Sequence, residues 1–353
     1  MNGPTPVIQT RGLTRFYGPT VGIEDIDLEI RPGEVFGFLG PNGAGKTTTI
    51  RLLLDLIRPT RGQASLFGTP VRAASIRKRV GYLPGELSLD GRMTGLQTLR
   101  LLAALNGGRS PGDGALAEHR GSLTERLGLT GRDLERRVRE YSRGMKQKVG
   151  LVAAFQHRPD LLILDEPTTG LDPLVREVVF QLMAEAKEGG ATVFHSSHVL
   201  SEVDRTCDRV GVLREGRLVS VLSVHESREA STRRMQVEFR SSPPIEALEA
   251  AGASVERRSG NRVELLVPGE LQPLLVILAQ HPVLHMTFPE PSLEEAFNSF
   301  YRDGKDDPGT APSEGPTPSG GPAASGGPAA SEGPVTSEGP ATSDAHPRGE
   351  RQP

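Results

Sequence analysis

Cysteine is nearly missing from this chain: Cys207 is the single one in 353 residues. That excludes an internal disulfide, and the ordinary expectation for a lone cysteine is a buried structural thiol. No sign of charge dominates. The formal net charge is −3, which excludes the strongly basic footprint of a nucleic-acid binder. Long apolar runs are lacking too. A stretch such as Leu274 to Ala279 is far too short to cross a bilayer. Met1 to Gln9 lack the positive region and apolar core of a signal peptide. These absences lead to the expectation of a soluble cytoplasmic chain whose membrane role, if any, comes through a partner. The length suits two domains and a tail.

What is present falls into three stretches. Residues 1–222 alternate short apolar strands with helical segments, the pattern of an α/β domain with a largely parallel sheet. An insert over about 88–145 carries no strand signal and reads as helices, over Leu96 to Leu105 and Leu116 to Leu127, with a loop from Gly107 to Gly114. Residues 223–302 read as a small α+β domain. Its strands fall at Met235 to Phe239, Ser254 to Arg257, Arg262 to Val267 and Val283 to Phe288. Helices fall at Ile245 to Ala251 and Leu271 to Gln280. The order β-α-β-β-α-β suggests a ferredoxin-like unit. Ser292-Leu293-Glu294-Glu295 is a capping box opening a last helix to Tyr301.

From 303 onward the composition changes. Glu314 to Ser343 repeats a six-residue unit, EGPTPS, GGPAAS, GGPAAS, EGPVTS, EGPATS. Such a segment offers little apolar surface to offset its ordering entropy and is expected to be disordered. Residues 303–353 hold eight acids and three bases, a net −5, which leaves +2 for the rest of the chain.

The chemistry concentrates at Gly40-Pro41-Asn42-Gly43-Ala44-Gly45-Lys46-Thr47-Thr48. An apolar strand, Val35 to Leu39, precedes it, and a helical stretch from Thr49 follows. Strand, glycine loop and helix together are the context a phosphate-binding loop requires. Glycines let the backbone wrap an anion with its N–H groups inward, and the helix N-terminus adds partial positive charge there. Lys46 is expected to reach the β- and γ-phosphates of ATP, and Thr47 to ligate Mg2+. Downstream, the strand Leu161 to Leu164 ends abruptly in Asp165 and Glu166. Two carboxylates at the carboxyl edge of an open sheet sit where ligands bind. Asp165 is expected to hold Mg2+, and Glu166 to orient and deprotonate the attacking water.

With these motifs in order, residues from about 7 to 222 resemble the ATP-binding cassette (ABC) ATPases. Tyr141-Ser142-Arg143-Gly144-Met145 stands at the place of that family's signature loop. The resemblance implies that Ser142 and the Gly144 amide contact the γ-phosphate held by a second subunit. Thr169-Gly170-Leu171-Asp172 is similar to the D-loop, with Asp172 near a dimer seam. His198 is similar to the switch histidine at the γ-phosphate, and Tyr17 to the aromatic residue that stacks on adenine.

Two departures stand out. Arg143 occupies a usual glycine position. Gly85 stands where the family's Q-loop has glutamine, with Glu86 next to it as a candidate substitute near Mg2+. Both resemble cassettes serving drug and antibiotic exporters of the ABC-2 type. The resemblance implies a Mg2+-dependent ATPase that acts as a homodimer and powers a separate ABC-2 type permease from the inner face of the membrane. Rival expectations are a soluble cassette acting on ribosomes or nucleic acid, and an ATP-holding regulatory module without turnover. A single P-loop, the absence of sustained heptads and near-neutral charge weigh against the first; Glu166 and His198 weigh against the second.

Overall fold

The structure is a computed structural model that describes residues 4–105, 114–230, 233–267 and 271–288. The helix expected over 292–301, the tail from 303 and nearly all of the loop expected over 107–114 lie outside the described residues.

The chain opens with a hairpin, β1 (Ile8–Tyr17) and β2 (Thr20–Ile30), turned at Gly18-Pro19. Next come β3 (Val35–Leu39), α1 (Lys46–Leu53), β4 (Arg61–Leu66), the short β5 (Thr69–Pro70) and β6 (Val80–Leu83). The helical stretch follows: α2 (Gly95–Leu105), α3 (Gly114–Arg126), α4 (Gly131–Glu135) and α5 (Arg143–Phe155). Then β7 (Leu161–Asp165), α6 (Pro173–Glu188), β8 (Thr192–Ser197), α7 (Leu200–Thr206), β9 (Arg209–Arg214), β10 (Arg217–Ser223) and α8 (Val224–Ala230) follow.

Six strands form one sheet in the order β10-β9-β3-β8-β7-β6, parallel except for the antiparallel edge strand β10. Strands covered on both faces read as unbroken apolar runs. Here β3 (VFGFL) and β7 (LLILD) are buried at every position. Alternate side chains serve different cores. Phe36, Phe38, Ile163 and Phe194 pack with Ile50 of α1 and with the hairpin residues Leu13, Ile23 and Ile26. Leu162, Leu164 and Val193 pack against α5 and α6 through Val149, Leu151, Val152 and Val179. The second sheet, β2-β1-β4-β5, is antiparallel. A parallel sheet is thus only part of the expected α/β domain. The hairpin strands are long, and β2 alternates buried with exposed positions from Ile26 to Ile30, as an antiparallel strand with one covered face does.

A third sheet follows, built from β11 (Arg233–Phe239), β12 (Ser254–Ser259), β13 (Arg262–Val267) and β14 (Val283–Thr287), with α9 (Ile245–Ala250) and α10 (Gln272–Ala279). Its order is β12-β13-β11-β14, all antiparallel. Met235, Val237, Phe239, Leu248, Leu265 and Leu274 form a core of their own.

For the site, the consequence is register. Leu39 pairs with Ser197, Asp165 with Ser196, and Leu83 with Leu164. The carboxyl ends of β3, β8, β7 and β6 therefore meet along one edge, where an open α/β sheet binds its ligands.

Candidate functional site

The phosphate loop runs from the end of β3 into α1. Gly45, directly before α1, has φ 106°, a left-handed conformation that a side chain would strain. Helix α1 therefore starts at Lys46, three residues before the helical stretch read from sequence. Gly40 is packed so closely that a Cβ there would stand 2.4 Å from the Leu213 carbonyl oxygen. The Lys46 side chain is buried and folds back along the loop. Its ammonium donates to the carbonyls of Gly40 (2.7 Å) and Pro41 (3.1 Å) and lies 3.6 Å from Glu166 Oε1. The cation is thus held inside the cradle that the loop makes for an anion.

Thr47 and Asp165 meet beside it. The Thr47 hydroxyl donates to Asp165 Oδ2 at 2.8 Å, and the Ser196 hydroxyl donates to Asp165 Oδ1 at 2.6 Å. Ser196 in turn accepts from the Glu166 backbone N–H at 3.0 Å. A buried carboxylate beside a hydroxyl is a hard-oxygen pair suited to a magnesium ion, which takes few protein ligands and completes its shell with water and phosphate. The same carboxylate, after burial itself, helps push the Tyr82 phenol up to about 12.

Glu166 is the hub. Its Oε1 lies 3.2 Å from His198 Nδ1, and its Oε2 accepts from the Thr169 hydroxyl at 3.2 Å. A carboxylate only accepts, so in this contact Nδ1 carries the proton. The backbone of Glu166 is left-handed, φ 50°. Five of the residues singled out in the sequence, Lys46, Thr47, Asp165, Glu166 and His198, are thus gathered at one sheet edge.

Other residues stand apart. Tyr17 is exposed, with the Arg15 guanidinium 4.9 Å over its ring. Ser142 is the N-cap of α5, accepting from Met145 N–H at 3.2 Å, and Asp172 caps α6 by accepting from Val175 N–H at 3.0 Å. That backbone bond holds the Asp172 carboxyl below its usual range. Among the described residues no hydrogen bond joins Ser142 or Gly144 to the phosphate loop of the same chain. Glu86 is exposed and makes no hydrogen bond to Thr47 or Asp165. Gly85 does approach: a Cβ there would lie 3.1 Å from Asp165 Oδ2.

Three supports were not found by sequence reasoning. Ser196 links Asp165 to Glu166. Gln147 on α5 donates to the carbonyls of Glu166 (3.3 Å) and Pro167 (3.1 Å). The buried Glu202 carboxylate accepts from Ser197 (3.0 Å) and Thr168 (2.9 Å). The only signal available was their place beside the motifs: Ser196 two residues before His198, Gln147 five after Ser142. Cys207 is buried as expected, with His195 Nε2 3.0 Å from its sulfur. Burial holds the imidazole down to about 4 and the thiol up to about 12, so both are neutral.

A glycine loop with an enclosed lysine, run from a parallel strand into a helix beside a strand that ends in two carboxylates, defines a P-loop nucleoside triphosphatase fold. Residues 23–169 match the ABC transporter family. The bacitracin transport ATP-binding protein BcrA of Enterococcus faecalis is 39% identical over 225 residues, 62% of this chain and 70% of that protein. The ABC transporter ATP-binding protein YhcH of Bacillus subtilis (strain 168) is 34% identical over 299 residues, 82% of this chain and 94% of that protein. Among solved structures, an ATP-binding subunit of an ABC transporter superposes with a TM-score of 0.58 at 32% identity, covering 63% of this chain and 92% of that one. The chain belongs to the ABC transporter ATP-binding family, and its activity is ATP hydrolysis.

Proposed function

We propose that this chain is the ATPase subunit of a drug or antibiotic exporter, working as a homodimer on a separate ABC-2 type permease at the inner face of the membrane. Relatedness to a bacitracin transport protein supports the cargo class. No helix among the described residues is long and apolar enough to span a membrane, which is consistent with a separate permease supplying the path. Within the chain we assign the cassette to 1–222, with its helical subdomain at about 88–145, a small α+β domain to 223–302, and a tail to 303–353. The separate core around Phe239 and Leu274 supports a small domain distinct from the cassette.

The observation that carries the reading is the setting of Glu166, between Lys46, His198 and Thr169 and next to Asp165. In the proposed reaction Glu166 takes a proton from water as the water oxygen bonds the γ-phosphorus. The bond from that phosphorus to the β–γ bridging oxygen breaks, and ADP and phosphate leave. Lys46 and His198 stabilise the charge spread over the transferring group. The amides of residues 40–48 cradle the phosphates, and Tyr17 stacks on adenine. Thr47 and Asp165 would hold Mg2+, whose charge offsets that of the phosphates. Ser142 and Gly144 act on the partner subunit's nucleotide, with Asp172 beside the seam. That Ser142 and Asp172 hydrogen-bond within their own helix caps rather than to the phosphate loop, among the described residues, fits a head-to-tail pair. Product release then reopens the pair and resets the permease.

The test is Glu166→Gln in the full-length protein reconstituted with its permease. Wild-type turnover should require Mg2+ and rise with the permease. The variant should bind ATP, accumulate as an ATP-bound dimer and turn over about 100-fold more slowly or worse. Near-normal turnover in the variant would remove Glu166 from the mechanism.

A further inference from the structure

Glu166 carries its carboxylate on a backbone conformation that L side chains rarely adopt, φ 50°. Such a conformation persists only where its surroundings impose it. Two side chains grip the peptide units on either side. Ser196, from the end of β8, accepts from the Glu166 N–H at 3.0 Å. Gln147, from the second turn of α5, donates to the Glu166 carbonyl at 3.3 Å and to the Pro167 carbonyl at 3.1 Å. Two carbonyl acceptors require the NH2 end of the amide there. Gln147 is 6% exposed, so water does not compete for these bonds.

The first turn of the same helix is seated on the D-loop. A Cβ on Gly144 would lie 3.1 Å from the Gly170 carbonyl oxygen, and a Cβ on Gly170 would meet the Arg143 side chain at 3.8 Å. Helix α5 therefore touches the segment from Glu166 to Gly170 at both of its ends. The helix has 13 residues and a continuous buried face, so a shift at Ser142 moves Gln147 with it.

We infer that Gln147 is a positioning residue that ties the signature helix to the aim of Glu166, so that engagement of the partner's nucleotide at one site sets the base of the other. This rests on the proposed head-to-tail pair and on Glu166 as the base. The geometry gives the coupling a direction: the N-terminus of α5 reads the partner's nucleotide, and its second turn acts on this chain's own.

The test uses the full chain with ATP as the varied ligand and compares Gln147→Met, which keeps length but cannot donate, with Gln147→His, whose Nε2–H stands at a similar reach. Gln147→Met should lower kcat about tenfold, leave KM within about twofold, and bring the Hill coefficient for ATP from above one to one. Gln147→His should recover most of kcat. Adding Gln147→Met to Glu166→Gln should cost nothing further, since the group it positions is already gone. An unchanged kcat, an unchanged or initially absent cooperativity, a His variant as slow as Met, or an equal further loss in the Glu166→Gln background would each overturn the coupling. Melting curves accompany every variant. Should Gln147→Met fail to fold, Gln147→Asn, one methylene too short for both carbonyls, replaces it with the same expectations. If Glu166→Gln alone turns over normally, the base assignment fails; if it is slow and Gln147→Met is not, only the coupling fails.

Discussion

Ser196→Ala removes one oxygen atom and should disturb both stability and turnover. The Ser196 side chain is fully buried, donating to the Asp165 carboxylate at 2.6 Å and accepting from the Glu166 N–H at 3.0 Å. A hydrogen bond to a charged group contributes roughly 1.5–3 kcal/mol, and a buried N–H left without a partner costs about 1–3 kcal/mol. The two losses overlap, because Asp165 keeps its bond from Thr47. A net destabilisation of ~2–4 kcal/mol is expected. For a domain of this size each kcal/mol lowers Tm by about 2–4 °C, so the variant should melt at least ~4 °C below wild type. Turnover should fall by about tenfold or more, because the left-handed Glu166 peptide loses one of its clamps. KM for ATP should hold, since Lys46 is held by the carbonyls of Gly40 and Pro41 and does not touch Ser196. Thermal melts followed by circular dichroism, with steady-state phosphate release on the same samples, measure both. A variant that melts within about 1 °C of wild type and hydrolyses ATP at the wild-type rate would show that these two hydrogen bonds do not hold the acid pair.

Three further outcomes are expected. Ser142→Ala subunits mixed with Lys46→Ala subunits should form dimers with one intact site and recover part of the lost ATPase; no recovery where mixed dimers demonstrably form would refute the trans arrangement. Gly85→Gln, attractive from sequence as a restoration of the Q-loop side chain, meets Asp165 Oδ2 with its Cβ at 3.1 Å. It should therefore lower Mg2+-dependent turnover, and a gain in kcat would refute that crowding. His195 is held down to about 4 by burial against an ordinary 6.5. The unfolded state then binds more protons between those values, so stability is complete above about pH 6.5 and declines as pH falls toward 4, by up to ~3 kcal/mol. Urea unfolding at pH 7 and pH 5 should show this decline. A His195→Gln protein with the same decline would place its origin elsewhere.

The phosphate loop and the acidic strand end were legible because each is a local pattern, an apolar run cut short by residues that cannot belong in it, whereas His198 was singled out only through the resemblance to the family. Helix α2 was legible from its apolar residues at helical spacing. What escaped notice was set by pairing across the sheet. Ser196 reads as a polar end to an apolar strand, and only its register opposite Asp165 gives it a task. Gln147 lies in a helix whose buried face is otherwise apolar, and its partners are two backbone carbonyls, which no residue type announces. Ser142 and Asp172 show a different limit. Both have the capping role that their residue types favour within the chain, and no sequence pattern tells whether a cap also faces a second subunit. Glu86 was singled out for its place beside Gly85 and for a carboxylate of adequate reach and affinity for Mg2+, and its side chain is exposed.

The neutral pair of His195 and Cys207 has a practical side. A thiol that is buried and pushed up to about 12 presents almost no thiolate to an alkylating reagent while the chain is folded. Because it is the single cysteine in the sequence, new cysteines can be placed on the surface for cross-links or fluorophores without first removing it. The native thiol then serves as a clock, since its modification counts the moments at which this part of the chain opens.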